Sequence, residues 1–208
     1  MKFKTLGIID VGVGNLFSIK NAFKNFNIQI EILKKPIFKN IDALILPGVG
    51  SFQSSMRVMK EKSFFSKINY FVLEKKKPIL GLCLGMQMMM QTSEEGVGKV
   101  DGFGWIDGKV EKVNLKNGKM LNVGWEKVLS NTKFSKIDKS LFNSYYYFDH
   151  SFCLDKSSKN IVGISKNNIP AIIFRENILG TQFHPEKSQK SGENFLNFFL
   201  KINKLINQ

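Results

Sequence analysis

The chain has 208 residues, 43% of them hydrophobic, which suits a single domain over residues 1–208 and is short for two. Its formal charge of +14 rests on 31 basic residues of which only Arg57 and Arg175 are arginine; scattered lysine is the composition of a solvated surface, whereas base-reading surfaces favour the arginine fork, so a basic nucleic-acid-binding module is the weaker alternative. No run of 18 apolar residues and no signal-peptide core occurs, which points to a soluble cytoplasmic protein with no membrane partner.

Leu6 to Asp10 reads as a first strand, followed by a helical period over Leu16 to Phe26. The glycines between them, Gly12 and Gly14, suggest a dinucleotide loop, but Phe17 stands where the third glycine belongs. Gln29 to Leu33 and Ala43 to Leu46 read as further strands, a helix pattern starts at Phe52, Phe64 to Leu73 is again helical, and Ile79 to Leu82 is a short buried strand. This alternation predicts an α/β fold with a mainly parallel sheet flanked by helices. After about residue 100 the second half turns strand-rich: Trp105 to Val113, Val123 to Val128, Tyr145 to Phe152, Ile161 to Ser165, Pro170 to Phe174 and Ile178 to Phe183. Ser130 to Ser140 reads as a polar excursion, and Gly192 to Ile206 closes the chain as an amphipathic helix.

Gly81-Leu82-Cys83-Leu84-Gly85 follows a strand and opens onto Met86 to Met90, a good helix former. Strand, sharp turn and helix make a nucleophile elbow with cysteine at its tip. A helix start beside the sulfur favours thiolate and aims backbone N–H groups at developing negative charge. A thiol nucleophile needs a base, and the base needs an acceptor on its other nitrogen. His184-Pro185-Glu186 supplies both, the proline holding the backbone extended so that the two side chains project together. Pro47-Gly48-Val49-Gly50 is a strand-to-helix loop whose peptides can turn toward an oxyanion. Neither cysteine has a Cys or His neighbour at ligand spacing, so no metal site is expected, nor any cofactor.

These segments, with Ile9 to Leu16, Leu46 to Phe52, Lys77 to Gln87, Gly124-Trp125, His150-Ser151-Phe152 and Gln182 to Ser188, resemble the class I, triad-type glutamine amidotransferases. Within them the chain is most similar to the glutaminase subunits of imidazole glycerol phosphate synthase. The resemblance implies a flavodoxin-like sheet and a triad of Cys83 as nucleophile, His184 as proton shuttle and Glu186 as its orienter. It further implies a glutamine pocket lined by Gly50, Leu84, Gln87, His150, Ser151 and Phe152, and an oxyanion loop at Gly48 and Val49. A cyclase subunit with a barrel fold would be the partner in a heterodimer, faced by Asn15, Asn122 and Trp125, and would use the ammonia in histidine biosynthesis.

Where the family usually has Pro-His-Met-Gly-Trp-Asn on the partner side, this chain has Leu121-Asn122-Val123-Gly124-Trp125-Glu126, and Asp149 precedes His150. A paralogous glutaminase feeding a related synthase, such as one amidating a surface sugar, would keep the triad and change this face.

Overall fold

The computed structural model describes residues 3–10, 12, 15–48, 50–115, 118, 120–131 and 137–206. Apolar runs of four or five residues build the centre of the main sheet. β1 (Thr5–Ile9), β3 (Ala43–Leu46) and β4 (Ile79–Leu82) are buried along their whole lengths, as expected for parallel strands covered on both faces. β2 (Gln29–Leu33) lies at the edge and is largely exposed. Helices α1 (Leu16–Ala22), α2 (Phe52–Glu61) and α3 (Phe64–Asn69) fall where the periodicity places them, α1 stopping short of Phe26.

Beyond β4 come α4 (Leu84–Gln87), β5 (Met90–Ser93), β6 (Val100–Asp101), β7 (Ile106–Lys112), β8 (Asn122–Ser130), β9 (Tyr145–His150), β10 (Phe152–Leu154), β11 (Ile161–Ser165), β12 (Pro170–Arg175), β13 (Ile178–Thr181) and α5 (Gln189–Ile202). The main sheet has the order β2-β1-β3-β4-β13-β12-β11-β8-β9. Pairs from β2 to β13 are parallel, and those from β13 to β9 antiparallel. The fold is therefore a mixed α/β sheet with a parallel half and an antiparallel half. A second sheet, β10-β7-β5-β6, lies apart from it.

Two differences from the sequence expectation have a common cause in long-range pairing. The helix expected through Met90 ends after one turn, because the carbonyls of Met88, Met89 and Met90 accept the N–H groups of Phe103, Trp105 and Gly104; a tertiary partner overrides the helix propensity of methionine. The strand expected over Tyr145 to Phe152 is broken at Ser151, with β9 pairing β8 and β10 pairing β7. Of the 130–140 excursion, residues 132–136 lie outside the described residues, and Asn131 bonds Val162.

Successive strand residues enter opposite cores, as the period of two demands. Leu44, Leu46 and Ile79 join a cluster with Met56, Phe64 and Trp105, while Ala43, Ile45 and Leu80 join one with Phe183, Phe195 and Phe199. The register then places the site: Leu46 pairs Gly81 and Thr181 pairs Leu82, so β3, β4 and β13 end together. Their next residues are Pro47-Gly48, Cys83 and Gln182 to His184. A Cβ on Gly85 would collide with the Leu46 carbonyl oxygen, and one on Gly48 with the Gly85 nitrogen. Gly85→Ala should therefore lower the urea midpoint strongly. Gly50→Ala, at φ +91° with nothing within 4 Å, should cost only about 1 kcal/mol. Equal losses in the two variants would show that the close approach is not what limits the turn.

Candidate active site

Cys83 sits at φ 51°, ψ −109°, a left-handed conformation that costs a non-glycine residue energy and persists only where its surroundings impose it. Here its N–H is fixed to Thr181 O (2.7 Å) and its carbonyl accepts Gln87 N–H (3.1 Å). The sulfur is buried, 3.6 Å from Gln182 Nε2 and 4.0 Å from Asp149 O. Leu84 begins the single turn of α4, where a helix leaves its N–H groups without partners inside the helix.

His184 is held from three sides. Its N–H donates to Tyr147 O (2.9 Å), its carbonyl accepts Ser188 Oγ–H (2.6 Å), and Ser188 Oγ in turn accepts Tyr147 N–H (2.9 Å). Nδ1 lies 2.8 Å from Glu186 Oε1, with both side chains buried. That contact makes Nδ1 the donor and leaves Nε2 as the ring's acceptor, with Cys83 near enough to act on its basicity. Burial by itself would lower the His184 pKa; hydrogen bonds and charge at Cys83 and Glu186 outweigh it and raise it to about 10. The imidazole is thus built to accept the thiol proton and hold it. The other Glu186 oxygen, Oε2, has no hydrogen-bond partner among the described residues.

His150 is the opposite case. Burial lowers its pKa to about 4, against the opposing hydrogen bond to the Phe152 carbonyl. Nδ1–H donates to Phe152 O (2.9 Å) and Nε2 accepts from Asn122 Nδ2 (3.0 Å), so the ring is neutral with both nitrogens engaged. Gln87 Nε2 donates to Phe152 O (2.6 Å) and to Gln182 Oε1 (3.1 Å). Gln182 then passes its own amide N–H to the sulfur. Sequence reasoning did not single out Gln182; its position directly after β13, on the strand beside β4, is the only hint the chain offers.

A cavity of about 280 Å³ opens at these groups, small for a ligand site and suited to an amino acid. Gly48, Gly50, Leu84, Gln87, His150, Ser151 and Phe152 line it together with Cys83 and His184. Glu95, Leu121, Asp149 and Lys187 complete the lining and were not assigned to the pocket from the sequence. Glu95 accepts Phe52 N–H (2.9 Å), and Lys187 pairs with Asp149 (3.6 Å) at the rim. Val49 lies outside the described residues. The three positions expected on a partner face diverge: Trp125 is 46% exposed and Asn15 is exposed, its side chain capping α1 through Ser18 N–H. Asn122 is 2% exposed and turned inward to His150, so its side chain is not available on that surface.

The two histidines make opposite demands on pH. His184 binds its proton up to about pH 10 in the folded chain but only to its ordinary 6.5 when unfolded, so its contribution to stability is complete below 6.5 and lost as pH rises toward 10. His150 contributes above 6.5 and loses that contribution as pH falls toward 4. Urea midpoints between pH 6.5 and 4 should therefore fall less steeply in His150→Asn than in the wild type. Parallel slopes would remove His150 from this account.

The family model for class I glutamine amidotransferases matches residues 7–202. Imidazole glycerol phosphate synthase subunit HisH 2 of Methanococcus maripaludis is 38% identical, covering 94% of this chain and 98% of its own length. The subunit HisH of Leptospira interrogans is 36% identical over 95% of this chain and 100% of its own. Among solved structures, a glutamine amidotransferase superposes with a TM-score of 0.76 at 18% identity, covering 96% and 98% of the two chains, and PurLQS from Thermotoga maritima with 0.73 at 15% identity, covering 97% and 99%; these two support the fold. Elbow, imidazole and carboxylate thus meet in a chain whose sequence matches one family model over nearly its whole length, and the chain belongs to the class I glutamine amidotransferases.

Proposed function

We propose that the chain is the glutaminase subunit of an imidazole glycerol phosphate synthase and that it hydrolyses L-glutamine to glutamate and ammonia for a cyclase subunit. The observation that carries the chemistry is the buried His184–Glu186 pair, which shares with Cys83 the lining of an amino-acid-sized cavity. The relatives named as subunits of that synthase, matched nearly end to end, support the pathway. The absence among the described residues of any helix long and apolar enough to cross a membrane, together with two unpaired buried thiols, accords with a cytoplasmic site of action.

In this reading Cys83 Sγ attacks the side-chain amide carbon of glutamine with the thiol proton already held on His184 Nε2. The carbonyl oxygen becomes an oxyanion, met by the Leu84 N–H and by peptides of the Gly48–Gly50 loop. The intermediate collapses when His184 returns the proton to the departing nitrogen. Ammonia leaves and a glutamyl thioester remains on Cys83. Water then attacks that carbonyl, His184 accepting its proton and passing it to the sulfur as glutamate departs. Glu186 keeps Nδ1 protonated throughout. At the rim, Glu95 and Asp149 offer carboxylates to the substrate ammonium and Lys187 a cation to its carboxylate.

Ammonia release from glutamine, measured with the cyclase subunit and its ligand present, should fall by at least about 10³-fold in Cys83→Ala and by about 10²–10⁴-fold in Glu186→Gln, with KM little changed in the latter. Retained turnover in Cys83→Ala would remove it as the nucleophile. Stimulation by a different synthase and not by the histidine-pathway cyclase would reassign the partner while leaving the triad intact.

A further inference from the structure

A cavity of about 800 Å³ lies away from the triad. It opens at the other end of the parallel strands, where β1, β3 and β4 begin, between Phe3-Lys4, the 36–42 loop and the helical segment that follows α3. A four-residue strand such as β4 spans roughly 13 Å, so this cleft and the Cys83 site lie on opposite edges of one sheet.

Its composition is particular. The floor is apolar, with Ile41 and Phe71 buried and Phe38 set edge-on to Phe71 at 5.5 Å. The rim carries rings and aliphatics held out in solvent: Phe3 is 57%, Ile37 63% and Tyr70 53% exposed. Four lysines line the cleft, Lys4, Lys67, Lys75 and Lys77, against one carboxylate, Asp42. Asp42 is already occupied by Thr5 N–H (3.0 Å), Lys4 (3.1 Å) and Lys77 (3.8 Å). Lys75 Nζ stands 5.3 Å over the Tyr70 ring, and no carboxylate in the cleft is left for Lys75 or Lys67.

The backbone here is also unusual. Residues Tyr70–Glu74 form a π-helical turn, with Lys75 N–H reaching back five residues to Tyr70 O. Such turns are rare and recur at functional sites. This one lets Tyr70, Phe71 and Lys75 all contribute to the cleft wall. No cysteine, serine or histidine lines the cavity, so its chemistry is that of binding and not of turnover.

We propose that this cleft is a second ligand site, for a small molecule that joins a planar aromatic ring to a phosphate, of the mononucleotide class. The volume falls in the ordinary small-molecule range. Exposed Tyr70 and Phe3 offer faces for stacking, which alanine substitution typically weakens severalfold per ring, and the surplus lysines supply the charge a phosphate requires. Nothing in the glutaminase reading requires this surface, so the two claims stand or fall separately.

The test is calorimetric titration of the full chain at fixed ionic strength with adenosine 5′-monophosphate, adenosine and inorganic phosphate. The monophosphate should bind more tightly than either fragment. The double variant Lys67→Glu, Lys75→Glu should weaken it at least about tenfold, and Tyr70→Ala severalfold. Thermal midpoint and partner-stimulated glutaminase activity should be unchanged in both variants, which separates loss of the site from loss of the fold. Equal affinity for adenosine and its monophosphate would overturn the proposal, as would undiminished binding in the charge-reversed variant. Displacement by RNA of arbitrary sequence with steep salt dependence would show a general polyanion surface instead, and an absence of heat with all three probes at millimolar concentration would also reject it.

Discussion

Leu46 and Gly48, at the end of β3, lie against Leu84 and Gly85, at the start of α4, so closely that no side chain fits between the two backbones at Gly48 or Gly85. The chain leaving β4 must therefore turn within one residue, and that residue is Cys83. The turn places its φ in the left-handed region, lifts the sulfur out of the strand and sets the first peptide of α4 beside it. β13 lies next to β4 in parallel register, so its continuation brings Gln182 and His184 to the same edge. A change in the β3–α4 approach would move Cys83 away from His184, which is fixed independently to Tyr147 and Ser188.

Electrostatics then divides two histidines that composition cannot tell apart. Both are buried and both should lose basicity for that reason. His184 gains a carboxylate and a thiol and becomes the stronger base; His150 gains a carbonyl and an amide and stays neutral. The neutral ring joins two segments of the cavity wall, with Asn122 on β8 bonded to one nitrogen and Phe152 on β10 to the other. Asn122 thereby supports the cavity from inside, and the outward part of this face is left to residues such as Trp125 and Val123.

Much of this was legible in the sequence because it is local. The parallel half follows from short apolar runs separated by helical periods, and the elbow and the His-Pro-Glu segment lie within five and three residues respectively. What was not legible depends on distant pairing. Met88 to Met90 have helical propensity, but their carbonyls are taken by residues 103 to 106, so β5 forms where a helix was expected. Tyr145 to Phe152 alternates as one strand, yet its two ends enter different sheets because β8 and β7 draw them apart. Gln182 looked like an ordinary residue at a strand end until the fold put its amide within 3.6 Å of the Cys83 sulfur. Asn122 sits among exposed neighbours in a strand, and its distant partners, the cross-strand His150 and Asn167, explain why it faces in.

The central claim is that Cys83, and not the equally unpaired Cys153, is the nucleophile. Both thiols are buried, but burial pushes Cys153 up to about 12, with Glu111 adding to the effect and neither histidine acting on it, whereas Cys83 has His184. The direct measurement is treatment of the chain, with its partner present, with a glutamine-shaped diazoketone, followed by peptide mass spectrometry. The account predicts one adduct, on Cys83, whose formation is suppressed by glutamine and falls sharply in His184→Ala. An adduct on Cys153, or undiminished ammonia release from a chain fully alkylated at Cys83, would contradict it.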